Sequence, residues 1–95
     1  MPALWIAHVT VKDSAAYQRY AELAGPAIAN HGGQFIARGG RYLHLEGTDR
    51  PRNVVAKFNS VEDAENCYNS SEYQAALSYA RGAAERDLLI VETTE

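Results

Sequence analysis

Residues 3–11, ALWIAHVTV, carry apolar side chains on both of the sets that alternate along a strand. Leu4 and Ile6 form one set; Trp5, Ala7, Val9 and Val11 form the other. Successive strand side chains point to opposite faces, so such a strand needs cover on both sides. The run DLLIVET at 87–93 has the same property. A chain of 95 residues forms one domain with a modest core, so these two runs constrain most of what it can build.

Between them lie helical and strand patterns. Asp13 or Ser14 is predicted to cap a first helix, a short side-chain oxygen accepting from free N–H groups in its first turn. Tyr17, Tyr20, Ala21, Ala24, Ala27 and Ile28 then recur at helical spacing as one buried stripe. Pro26 lacks an N–H and is expected to kink or divide this helix, which Gly32 and Gly33 end. A strand QFIARGGRYLHLEG (34–47), a turn TDRPR (48–52) and a strand NVVAKFN (53–59) read as a hairpin. Ser60 with Asp63, and Ser71 with Gln74, read as capping boxes of a second helix broken at NSS (69–71).

The order is therefore β-α-β-β-α-β. It predicts an α+β, ferredoxin-like domain over residues 1–95, a four-stranded antiparallel sheet with its helices on one face. Helices on one face leave the first and last strands with uncovered apolar side chains. A second copy packed sheet to sheet would cover them, which predicts a homodimer.

Gly39 and Gly40 fall inside the second strand, where glycine weakens pairing and lets a strand bend or another group approach. If alternation runs through them, Ile36, Arg38, Tyr42, His44 and Glu46 share one face. If a bulge intervenes, the side chains after it swap faces. Either way the pair reads as a backbone bend, one that curls the sheet around its partner or aims Arg38 into a cavity between sheet and helices.

Charge excludes some classes. The formal net charge is −3 and the basic residues are scattered, unlike the clustered footprint of a nucleic-acid binder. The third strand, RNVVAKFN, also lacks the aromatics of an RNA-recognition sheet. The N-terminal apolar run is too short to span a membrane. Cys67 is the only cysteine, so no intrachain disulfide can form, and a reducing cytoplasm is the expected setting. No HxH or HExxH spacing, phosphate loop or nucleophile elbow occurs, so neither metal nor cofactor is expected.

The segments ARGG (37–40), LEG (45–47), VVAKFNS (54–60) and CYNSSEYQAAL (67–77) with Arg81, together with WIAHVTVKD and AYQRYAE, resemble the DUF1330 family. The resemblance runs from Ala3 to about Val91. It implies a dimeric α/β-barrel of two ferredoxin-like halves, and it implies no general activity. By position the family pattern falls on Arg38, Gly39, Gly40, Glu46, Gly47, Tyr68, Tyr73 and Arg81. The chain departs from it at Cys67, where tryptophan is expected, at Ser71 for proline, at Leu4 for tyrosine and at His8 for arginine. Haem-degrading and cofactor-free monooxygenases share that barrel. Here Trp5, His8 and Asn30 or Asn69 supply the residue types of an Asn, Trp and His set without its spacing.

The candidate site follows from the inward tyrosines. Tyr17, Tyr20, Tyr68, Tyr73 and Tyr79, converging beside Arg38 and Arg81, would make a mostly apolar pocket with a few directional polar groups, suited to a small organic acid. Arg38, Tyr68, Tyr73 and Arg81 are the expected ligand-binding residues. For proton transfer the candidates are His8, on the first strand, and His44 with Glu46, two positions apart on one strand face. One reading is a cofactor-independent enzyme in which the arginines hold the anion. The alternative is a non-catalytic binding or assembly module whose polar residues serve the dimer interface.

Overall fold

In the computed structural model, which describes all 95 residues, β1 (Ala3–Val11) lies between β3 (Arg52–Phe58) and β4 (Ala84–Glu92). β2 (Gln34–Arg38) pairs with the outer edge of β3, so the antiparallel sheet has the order β2-β3-β1-β4. Three helices complete the chain: α1 (Ser14–Asn30), α2 (Val61–Asn69) and α3 (Ser71–Ala80). This is the ferredoxin-like α+β arrangement expected from the element order.

The register sorts the two faces of the sheet. Trp5 stands opposite Ala56 and Ile90, Ala7 opposite Val54 and Leu88, and Val9 opposite Arg52 and Arg86. That face packs on the helices, and Trp5, Ala7, Val9, Ala56 and Phe58 are buried in one core with Tyr17, Tyr20, Cys67 and Tyr73. Trp5 anchors it, meeting the Tyr73 ring edge-on at 5.1 Å between centroids and Phe58 at 5.7 Å.

The opposite face carries Leu4, Ile6, His8, Val55, Leu89 and Val91, with no element over it; Leu89 is 53% exposed. The molecule is accordingly thin, 17 Å in its shortest dimension against 34 and 33 Å in the others.

Three local expectations change. β2 ends at Arg38, and residues 39–51 form no strand. Continuing the register that pairs Arg38 with Val54 would set Pro51 in the ladder, where it has no N–H to donate. Gly39 instead donates the last bond, to the Asn53 carbonyl at 2.9 Å, and turns the chain away at φ +71°. The irregularity in pairing falls at Ile36, between Phe35 and Ala37, ahead of the glycines.

Secondly, α1 runs unbroken through Pro26. The residue before it, Gly25, has no Cβ for the proline ring to strike, which removes part of the usual cost. Thirdly, Ser70 rather than Ser71 caps α3. Its Oγ accepts from the Tyr73 amide at 3.1 Å and donates to the Cys67 carbonyl at 2.7 Å, so one hydroxyl closes α2 and opens α3. Gln74 Nε2 donates to the Tyr68 carbonyl across the same joint.

Elsewhere the caps follow the sequence. Asp13 accepts from the Ala16 amide and Ser60 from the Asp63 amide. No helix is long and apolar enough to cross a membrane.

Candidate functional site

A slot of about 30 Å³ opens between α1 and the helix-facing side of the sheet. Trp5, Ala7 and Val54 form its floor, and Ala21, Ala24 and Ile28 of α1 face them. Its polar lining is Tyr17 and Tyr20 from α1 and three arginines from three strands: Arg38 of β2, Arg52 of β3 and Arg86 of β4.

Fold geometry brings the arginines together. Arg52 and Arg86 both stand opposite Val9 on the face that packs on the helices, and Arg38, opposite Val54, follows on the outer strand. Aromatic rings hold them. The Arg38 guanidinium lies 4.1 Å from the Phe35 ring centre, that of Arg86 4.7 Å from Tyr20, and that of Arg52 5.9 Å from Tyr17.

No carboxylate joins them. The ion pairs of the molecule are Lys12–Glu85, His31–Glu72 and Arg50–Asp87, all elsewhere. Both Arg52 Nε and Arg86 Nε are buried without a hydrogen-bond partner. An arginine stays protonated in a protein, so the slot concentrates positive charge and unspent donors. Such groups are costly to bury unless something accepts from them.

Beneath the slot, Arg86 donates from one terminal nitrogen to the Tyr20 hydroxyl at 2.8 Å and to the Tyr73 hydroxyl at 3.2 Å. Burial pushes the acidity constants of both phenols above the ordinary tyrosine range, and the neighbouring Tyr73 raises Tyr20 further. Both phenols therefore keep their protons through neutral pH.

The glycine pair acquires a reason here. A Cβ on Gly39 would sit 2.7 Å from an Arg52 terminal nitrogen, whereas one on Gly40 would meet nothing within 4 Å. Gly39 thus turns the chain and leaves room for a slot arginine.

Of the residues expected to bind ligand, Arg38 lines the slot, and Tyr73 does not: it is buried beneath it, its hydroxyl bonded to that of Tyr20. Tyr68 packs on Trp5 and borders a separate apolar hollow with Leu88, Leu89 and Ile90. Arg81 is exposed at the end of α3 and does not line the slot; Tyr79 is also turned outward. Arg52 and Arg86 were missed. Each sits one residue outside the strand limits read from the sequence, Arg52 in the supposed turn and Arg86 just before the last strand. Carrying the alternation Val54, Ala56, Phe58 back to 52, and Leu88, Ile90 back to 86, places both on the core face.

The proton-transfer candidates lie on the other side of the sheet. His8, His44 and Glu46 border a shallower hollow of about 570 Å³ beside the uncovered face. His44 and Glu46 stand on the loop after Arg38, not on a strand, and they do not bond each other; His44 Nε2 is 2.9 Å from the Gly47 carbonyl. Asn53 Nδ2 donates to the Arg50 carbonyl, which turns Asn53 Oδ1 toward His8 Nδ1 at 2.6 Å, so that nitrogen carries the proton. Arg50 in turn donates to Asp87 at 2.8 Å. The sheet separates this network from the arginine slot.

Cys67 is buried away from the slot, and burial pushes its thiol up to about 11. No three His, Cys, Asp or Glu side chains converge as a metal centre requires.

A family described as "Domain of unknown function (DUF1330)" matches residues 2–94. No curated protein matches the chain. Among solved structures, the chain is similar to a protein of unknown function from Rhodopseudomonas palustris, with a TM-score of 0.79 and 20% identity over 99% of this chain and 83% of that one. It is similar to a dimeric ferredoxin-like protein of unknown function from Jannaschia sp. CCS1, with a TM-score of 0.72 and 10% identity over 98% and 100%. It is also similar to SnoaB, a cofactor-independent oxygenase from Streptomyces nogalater, with a TM-score of 0.66 and 12% identity over 99% and 94%. At these identities the likeness concerns the fold.

Proposed function

We propose that this chain, which belongs to the DUF1330 family of domains of unknown function, is a homodimer that holds a small organic anion in the slot between its sheet and α1. One observation carries this reading: Arg38, Arg52 and Arg86 share one slot with no carboxylate among them, and two of their Nε–H groups are buried without an acceptor. An anion supplies the missing charge and accepts from the guanidinium groups that line the slot. Arg38, exposed at the mouth, meets the ligand first; Arg52 and Arg86 hold it. The apolar floor and the α1 wall close around its head, and its carbon body leaves past Arg38.

The dimer rests on the uncovered face. Its apolar side chains, Leu89 and Val91 among them, are exposed, and similar folds are described as dimeric. On that face the His8–Asn53–Arg50–Asp87 network favours the second reading for the polar residues of the open side. They order the interface between two copies rather than act on the slot's ligand. Whether the bound anion is also turned over is the enzymatic extension, for which the cofactor-independent oxygenase of similar fold is the precedent.

Arg38→Ala tests the reading. A lost charged hydrogen bond weakens anion binding by roughly 10- to 100-fold, and the slot reading expects that loss with the dimer intact. A monomeric or unfolded variant would assign Arg38 a structural role instead.

A further inference from the structure

The donors and acceptors of the slot, counted separately, narrow the anion further. On the donor side stand the guanidinium groups of Arg52 and Arg86, which line the slot with no carboxylate beside them. Tyr20 adds another. The Tyr20 and Tyr73 hydroxyls lie 2.8 Å apart and each accepts from Arg86, so one of their two protons serves their mutual bond and one is left over. Tyr73 is fully buried and does not line the slot, whereas Tyr20 does. With Tyr73 donating to Tyr20, the spare proton belongs to Tyr20 and turns into the slot.

On the acceptor side there is almost nothing. Arginine accepts no hydrogen bond, and no Asp, Glu, Asn, Gln or His lines the slot. Only phenol oxygens remain: that of Tyr20 already takes the Arg86 proton, and that of Tyr17 is the one left free.

Size sets the second limit. A cavity needs about 10–15 Å³ on this measure to hold one water, so 30 Å³ admits about two oxygen-sized atoms. That is a planar carboxylate head. A tetrahedral oxyanion brings further oxygens, which would press against Trp5, Ala7 and the alanines of α1.

We infer that the ligand is a monocarboxylate with an apolar body and no hydrogen-bond donor on the carbon beside the carboxylate. Its two oxygens lie against the guanidinium groups of Arg52 and Arg86 that line the slot and the Tyr20 hydroxyl, and its body runs out past Arg38. The inference rests on reading the slot as an anion site and adds the ligand class. A 2-hydroxy or 2-amino acid would bury an O–H or N–H group among arginine donors, with the Tyr17 oxygen as the one free acceptor, a penalty of roughly 10- to 100-fold in affinity where that oxygen is out of reach. A neutral amide would lose the charge and bring donors as well.

Trp5, the sole tryptophan, lines the slot and reports on its contents. The test is to follow its emission while titrating the wild-type protein with butanoate, 2-hydroxybutanoate, 2-aminobutanoate, butanamide and inorganic phosphate. The expected result is saturable binding of butanoate, at least tenfold tighter than the hydroxy acid, the amino acid, the amide or phosphate. Equal or tighter binding of 2-hydroxybutanoate, 2-aminobutanoate or phosphate would overturn the carboxylate class while leaving an anion site standing. No response to any anion would remove the anion site, and this inference with it. Arg86→Gln should abolish the butanoate response. Because that variant also disturbs Tyr20 and Tyr73, exposed Arg38→Gln serves beside it, expected to weaken butanoate without altering far-ultraviolet dichroism. An unchanged butanoate affinity in a folded Arg38→Gln protein would count against the placement.

Discussion

The hydroxyls of Tyr20 and Tyr73, 53 positions apart in the chain, share a hydrogen bond of 2.8 Å beneath the arginine slot. The bond ties α1 to α3, two helices that pack along each other over the sheet. Their rings meet edge-on, at 84°. A single nitrogen of Arg86 is shared between the two oxygens, so the helix pair and β4 are joined through one small polar group.

Removing either hydroxyl should therefore be felt in stability. Tyr20→Phe and Tyr73→Phe are each expected to cost about 1–2 kcal/mol, since each leaves a buried donor or acceptor short of a partner. The double variant should cost less than the sum by about 0.5 kcal/mol or more, because the second change removes a group already short of its partner. Urea denaturation of the four proteins reads the cycle.

The two glycines after Arg38 should behave unlike each other. Gly39→Ala forces a side chain to positive φ, at about 1–2 kcal/mol, and pushes its Cβ against Arg52. It should lower stability and anion affinity together. Gly40→Ala meets open space and should change stability by about 0.5 kcal/mol or less. Equal effects from the two variants would contradict the slot geometry.

How much of this was legible in the letters depends on strand ends. Element order follows from periodicity, and the two-sided apolar runs at 3–11 and 87–93 led directly to the uncovered face. Tyr17, Tyr20 and Tyr73 were recognisable as inward from helical spacing. Arg52 and Arg86 were not, because charged residues beside Pro51 and Asp87 look like turn and strand boundary, and hydrogen bonds rather than hydrophobicity carry the strands past them. Arg81 was favoured by its place in the family pattern, yet the helix ends at Ala80 and leaves it in solvent. His44 and Glu46 were paired by an alternation that Pro51 interrupts. Local pattern locates the faces of elements; which long side chains meet between elements depends on register, set by tertiary pairing.

Cys67 supplies a pH test. Its thiol titrates at about 11 in the folded chain against 9.0 for the free group, so its contribution to stability is complete below pH 9 and is lost as pH rises toward 11. The buried phenols act in the same direction at higher pH. Denaturation midpoints should fall between pH 9 and 11, and Cys67→Ala should flatten that part of the fall. At pH 8 the thiol should resist a disulfide reagent until denaturant is added; rapid labelling of the native protein would contradict its burial.

The uncovered face makes its own demand. Leu89, half exposed on β4 beside Ile6 of that face, should lie inside the interface. Leu89→Lys is expected to convert a dimer at micromolar concentration into a folded monomer, read by sedimentation velocity. A wild-type protein that sediments as a monomer would remove the dimer altogether.

The most direct measurement follows the side-chain Nε–H resonances of arginine in ¹⁵N-labelled protein as butanoate is added. Two of them, absent from the spectra of Arg52→Lys and Arg86→Lys respectively, should shift saturably and with a common dissociation constant. If these two stay fixed while butanoate rises, or if only exposed arginines such as Arg81 respond, the slot holds no anion.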